Sequence, residues 1–173
     1  MCKNTTKIIY IHLNLKFIER NLMRAIILAA GRGSRMKKLT EMHPKCLIKF
    51  KGKSLLDWQI EAIKKVGIES IALVTGYKNN LINNRGLYEF YNSRWSETNM
   101  VTSLFCAHKW LEKYECIVSY SDIFYKKTAI ELLINSKSDL AITYDPNWKE
   151  LWMKRFVNPL TDAETFKINK NFL

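Results

Sequence analysis

The sequence predicts an α/β fold, a mostly parallel, Rossmann-like sheet with helices on both faces. Three observations predict it. Short apolar runs bounded by glycine recur along the chain, strand-like and helix-like patterns alternate at the spacing of βα units, and the first apolar run feeds directly into a glycine-containing basic loop. That junction lies in residues 23–47, MRAIILAAGRGSRMKKLTEMHPKCL.

Taken in order, residues 25–30 are an apolar run stopped by Gly31, the pattern of a central strand covered on both faces. Residues 54–66 read as a helix: Ser54 caps it with Asp57 three residues on, Leu56, Ile60 and Ile63 form an apolar stripe, and Gly67 ends it. Residues 71–75 are the next buried strand, broken by Gly76-Tyr77. Thr98 or Asn99 caps a second helix with Met100, Leu104, Ala107 and Leu111 on one face. A strand over 116–120, a short helix over 129–134 and a strand over 140–144 continue the alternation. Residues 1–22 do not join it. Their apolar stretch is interrupted by His12, Asn14 and Lys16, and no signal-peptide cleavage pattern follows. We expect a leader outside the domain, with Met23 as the functional start and residues 23–173 as the domain; a genuine N-terminal strand or helix is the alternative.

The 173 residues suffice for one domain with a core, and 47% apolar and 25% charged residues suit a soluble globular protein. Cys2, Cys46, Cys106 and Cys116 form no CxxC pair, and His12, His43 and His108 have no ligand spacing, which argues against a disulfide framework or a zinc site and for a cytoplasmic location. No stretch reaches the roughly 20 apolar residues that span a bilayer. The net charge of +12 is concentrated: residues 31–53 carry eight lysines and arginines against Glu41 alone. A nucleic-acid binder more often spreads its charge along a helix face or tail. Charge gathered on one loop suits a compact polyanion such as a triphosphate.

The loop itself reads Ala29-Ala30-Gly31, then Gly33-Ser34-Arg35. Glycines after a strand expose backbone N–H groups that can cradle phosphate oxygens. The P-loop pattern GxxxxGK[ST] is absent, and Met36 stands where a GxGxxG dinucleotide fingerprint needs its third glycine. A plain strand-to-helix turn with solvated arginines is the alternative; Pro44-Lys45 and the local charge favour phosphate.

LAAGRGSRM…PKCLIKFKGKSLLDWQIEAI resembles the N-terminal signature of nucleotidyltransferases of the sugar-nucleotide pyrophosphorylase type, and WSETNMVTSL, VSYSDIFY and YDPNWKELWMKRFVNPLTDAETF are similar to the branch containing phosphocholine cytidylyltransferases. The resemblance covers about residues 23–168. It implies the nucleotide-diphospho-sugar transferase, GT-A-like fold. It also implies that Leu28 binds nucleotide, that Ala29, Ala30 and Gly31 lie against base and ribose, Gly33 and Ser34 against phosphates, Arg35 at the departing β- and γ-phosphates and Lys45 at the α-phosphate. Asp122, in YSDIF, corresponds to the family aspartate that holds Mg²⁺. Asn99 and Ser103 contact nucleotide or serve as helix cap and helix face; both readings stay open. Trp148 and Trp152, with Asp145, offer an aromatic wall for a quaternary ammonium acceptor by cation–π attraction, or simply pack.

The implied reaction moves CMP from CTP to a small phosphate or phosphonate acceptor, phosphocholine-like, with pyrophosphate release, for decoration of cell-surface polysaccharide or lipid. The preference for CTP comes from the family branch. No nucleic-acid partner or membrane insertion is expected, and oligomeric state is left open. Relatives run beyond Leu173 with strands that complete the acceptor pocket and a second metal-binding aspartate, a role not assigned to Asp162 or Glu164. A truncated, inactive nucleotide-binding fragment and a sugar-1-phosphate nucleotidyltransferase are therefore the alternatives.

Overall fold

The computed structural model describes residues 23–82 and 85–163, together with the backbone of residues 4–5, 12–13 and 165–166. The strands are β1 (Asn4–Thr5), β2 (His12–Leu13), β3 (Arg24–Ala29), β4 (Lys49–Phe50), β5 (Lys53–Ser54), β6 (Ile71–Thr75), β7 (Tyr88–Tyr91), β8 (Cys116–Tyr120), β9 (Leu140–Ala141) and β10 (Thr165–Phe166). The α-helices are α1 (Leu55–Lys64), α2 (Met100–Phe105), α3 (His108–Leu111), α4 (Lys127–Ile134) and α5 (Trp148–Met153). Among the described residues the main sheet runs in the order β7-β6-β3-β8-β2-β9. The first four of these strands are mutually parallel, and β2 pairs antiparallel with both β8 and β9.

Alternation along β3 explains the layers. Ala25, Ile27 and Ala29 point into one apolar cluster with Leu56 and Ile63 of α1 and Ile130 and Leu133 of α4. Ile26 points into the other with Val74, Val118 and Trp110 of α3. A strand covered on both faces has no polar side to show, which is why it reads as a continuous apolar run. The capping box at α1 is complete: Asp57 N–H donates to Ser54 Oγ at 3.0 Å, and Ser54 N–H donates to Asp57 Oδ2 at 3.3 Å.

Two expectations change, and one strand is unforeseen. The predicted second helix is two helices, because Ala107 (φ −97°, ψ 16°) leaves helical geometry between α2 and α3. The strand expected over 140–144 is two residues long; beyond Ala141 no strand partner is present among the described residues, and Ile142 and Tyr144 are exposed. β7 is not announced by the sequence pattern, since an edge strand that alternates Tyr88, Glu89, Phe90 and Tyr91 lacks the fully apolar character of the buried strands. The expectation for residues 1–22 lies outside the described residues apart from the β1 and β2 backbone.

Burial pushes the Asp57 carboxyl up, but the Ser54 hydrogen bond and the Arg85 charge outweigh it and hold the group below the usual carboxylate range. A depressed carboxyl adds stability above its unfolded value of about 3.9, and that stability disappears as pH falls through the folded value. Ser54→Ala is therefore expected to cost about 1 kcal/mol at neutral pH, a Tm loss of roughly 2–4 °C for a chain of this size. Thermal melts from pH 7 downward should show the gap narrowing below about pH 4 as Asp57 protonates.

Candidate active site at the carboxyl ends of the parallel strands

Registers of Leu28 with Tyr120 and Ala29 with Thr75 bring the carboxyl ends of β3, β6 and β8 to one level. A cleft of about 230 Å³ opens beside them. Open parallel sheets bind ligands at this edge. From the end of β3 the cleft takes Leu28, and from the loop after it Ala30, Gly31, Gly33 and Arg35; Lys45 enters from the short turn that succeeds Pro44. Asn99 and Ser103 come from the start of α2, and Ser121 and Asp122 from the end of β8. Most of the sequence-predicted site thus converges on one hollow.

The loop is shaped by two close approaches. Gly33 has φ +74°, and a Cβ there would lie 2.9 Å from Lys45 Cδ. The Lys45 stem therefore lies across Gly33, and its ammonium donates to Asp122 Oδ2 at 2.5 Å. Fully buried Thr40 donates its hydroxyl to Gly33 O (3.1 Å) and Lys37 O (3.2 Å), pinning the loop from beneath. Gly76 is the second approach: a Cβ would meet Trp95 Cβ at 2.5 Å and Ala30 O at 2.8 Å. This admits Trp95 to the cleft wall, edge-on to Tyr77 with centroids 5.2 Å apart.

Arg35, 73% exposed, pairs with Asp162 Oδ1 at 2.9 Å. Asn99 Oδ1 accepts from Val101 N–H (3.0 Å) and Thr102 N–H (3.1 Å), so Asn99 caps α2 while also lining the cleft. Buried Asn92 donates to Ser103 Oγ at 3.0 Å and to Thr98 Oγ1 at 2.9 Å, tying the end of β7 to the same helix. Burial pushes the Cys46 thiol up to about 12, which makes it an apolar anchor for the Lys45 turn and a poor nucleophile.

Other predicted residues lie outside this lining. Ala29 turns its side chain into the α1-side core, and Ser34 is exposed at the start of the succeeding 3-10 turn. Trp148 is buried in the manner of a packing residue. Trp152 carries the Arg155 guanidinium 5.4 Å from its ring centroid. Asp145 Oδ1 accepts from Asn147 N–H at 2.8 Å within a turn. Glu164 lies outside the described residues. Sequence reasoning missed Thr40, Asn92, Trp95 and the tight contact at Gly76. The break at Gly76-Tyr77 signalled a strand end but gave no sign of the tryptophan that would approach it.

Sheet, helices and cleft define the nucleotide-diphospho-sugar transferase fold. A solved CTP:phosphocholine cytidylyltransferase from Streptococcus pneumoniae shares it, with TM-score 0.54 and 29% identity over 62% of this chain and 50% of that one. Residues 25–157 match the model of the MobA-like NTP transferase domain, and the chain belongs to that family. It is 45% identical over 161 residues to a CTP:phosphoglutamine cytidylyltransferase of Campylobacter jejuni, covering 87% of this chain and 64% of the relative. It is 37% identical over 87 residues to a choline-phosphate cytidylyltransferase of Streptococcus pneumoniae, covering 48% of this chain and 38% of the relative. The chain thus spans less than two thirds of the length of either relative.

The three loop glycines should respond differently to an added methyl group. Gly31→Ala meets nothing within 4 Å and should leave Tm unchanged. Gly33→Ala should lose about 1–2 kcal/mol to the left-handed backbone, and Gly76→Ala more, because Trp95 and the Ala30 carbonyl must both move. Thermal or urea melts of the three variants check this order.

Proposed function

We propose that this chain is a nucleotidyltransferase that carries CMP from CTP to a small phosphate or phosphonate acceptor, releasing pyrophosphate. The observation that carries the reading is the convergence of Gly31, Gly33, Arg35, Lys45 and Asp122 on one cleft at the carboxyl ends of parallel strands, in a chain 45% identical to a protein named for that transfer. The glycines admit a phosphate chain to the backbone, and Lys45 and Arg35 neutralise its charge. An acceptor phosphate is largely dianionic near pH 7, so it attacks the α-phosphorus in line without a dedicated base. Positioning and charge neutralisation then supply the rate.

The donor set fits Mg²⁺ that arrives with a nucleotide. The described residues gather no cluster of three ligating side chains, and Mg²⁺ commonly takes one or two carboxylates with waters and substrate phosphates. Asp122 is the carboxylate proposed to hold it, and the ion, when bound, shields phosphate charge as a Lewis acid. No helix among the described residues is long and apolar enough to cross a membrane. The reading places the reaction in the cytoplasm, where CTP is made, and its product in the decoration of surface polysaccharide or lipid.

Arg35→Ala and Lys45→Ala should each weaken Mg²⁺–CTP binding by roughly tenfold to a hundredfold, the range for one charge-assisted contact, and Gly31→Ala should weaken it by placing a methyl group in the open cleft, while Tm stays near the parent's in all three. Calorimetric titration with CTP measures this. Pyrophosphate release with phosphoglutamine, phosphocholine and aminoethylphosphonate then names the acceptor. Parent-like CTP binding in all three variants would refute the phosphate-loop assignment.

A further inference from the structure

We infer that Gln59 is a positioning residue for Asp122, an assignment that rests on the proposed role of Asp122. Gln59 lies on α1, within the helix face that also buries Leu56 and Ile63, and it is fully buried. An apolar side chain is the ordinary occupant of such a place. Its Nε2 donates to Tyr120 O at 2.7 Å and also to Ile123 O. Those two carbonyls bracket Ser121-Asp122, the turn that leaves β8 and enters the cleft.

The amide orientation is fixed by its surroundings, because only the NH₂ end can face two carbonyl oxygens. The Oε1 end is buried with no hydrogen-bond partner among the described residues. A buried acceptor left unpaired is a liability to folding, so the residue's contribution lies at its donor end. Sheet pairing of β8 to β3 ends at Leu28–Tyr120. Beyond it Ser121 N–H donates to Leu28 O at 3.2 Å, and Ser119 Oγ donates to Tyr120 O at 3.0 Å. Neither bond reaches past Asp122. The Gln59 clamp spans the turn and sets where the carboxylate stands beside Lys45.

The test compares the parent chain with Asp122→Asn, Gln59→Met and Gln59→Asn. The readouts are the Mg²⁺ concentration giving half-maximal CTP binding, measured by calorimetry, the amide exchange of residues 121–123, and Tm. Both Gln59 variants should raise the Mg²⁺ half-point about tenfold or more, the usual cost of freeing a metal ligand's supporting partner. CTP affinity at saturating Mg²⁺ should recover towards the parent's, and faster exchange should be confined to the turn. A Tm loss with an unmoved Mg²⁺ half-point would make Gln59 merely structural and overturn the inference, as would loss of the folded state in both variants. If Asp122→Asn loses its Mg²⁺ dependence while the Gln59 variants keep the parent's, the site reading stands and only the Gln59 inference falls. If Asp122→Asn itself behaves as the parent does, the role of Asp122 fails and the inference with it.

Discussion

Pairing of Leu28 with Tyr120 and of Ala29 with Thr75 ends three parallel strands together, and the cleft opens beside those ends. The glycine loop leaves β3, Gly76 and Tyr77 leave β6, and Ser121 and Asp122 leave β8. A slip of one residue in β3 would exchange Ile26 and Ile27 between the two core clusters. Register is therefore enforced by apolar packing on both faces, at a distance from the polar groups it aligns. The polar edge inherits its geometry from residues buried in the two apolar clusters.

Close packing then turns an aligned edge into a shaped one. The Lys45 stem crosses Gly33 to reach Asp122, and Trp95 and the Ala30 carbonyl both close on Gly76. Both contacts need a missing Cβ, so each glycine is set by its neighbour as much as by its own backbone. The two ion pairs at the site are partly open to water: Lys45 and Asp122 are 26% and 36% exposed, and Arg35 is 73% exposed beside Asp162. Pairs in such settings contribute about 0–1 kcal/mol. Under the proposed function they hold the cations in place without competing strongly against a polyphosphate, which would offer several charge-assisted bonds at once.

Much of this is legible in the sequence because it rests on local signals. β6 and β8 match the predicted strands residue for residue, and β3 and α1 differ only at their ends, because continuous apolar runs and a capping box announce themselves within a few residues. Lys45 and Asp122 meet in one cleft although 77 positions separate them along the chain; the sequence singles them out through resemblance to a family and not through spacing. Asn92, Trp95, Thr40 and Gln59 are not legible. Each acts through a tertiary partner: Asn92 through Ser103, Trp95 through Gly76, Thr40 through the Gly33 carbonyl, and Gln59 through Tyr120 and Ile123. A polar residue on a helix or loop gives no local sign of which distant carbonyl or hydroxyl it will meet. The split between α2 and α3 escapes for a related reason, since the apolar spacing of Leu104, Ala107 and Leu111 continues across the break.

The basic loop region divides its charge between contact and field. Of the eight cations in residues 31–53, only Arg35 and Lys45 line the cleft. Lys53 pairs with Glu61 on α1, Lys49 and Lys51 sit exposed on the β4–β5 hairpin, and Lys37 and Lys38 are exposed on the loop. Arg32 instead places its guanidinium 5.8 Å from the Tyr77 ring centroid. Cations outside the cleft cannot bond to a ligand held within it, but they still raise the potential along its approach. With a Debye length of about 8 Å at physiological salt, only those nearest the mouth act at full strength. On the proposed function, the excess charge that marks this loop in the sequence serves mainly to draw an anion in, and the contacts proposed to hold it are those of Arg35, Lys45 and the backbone that Gly31 and Gly33 leave open.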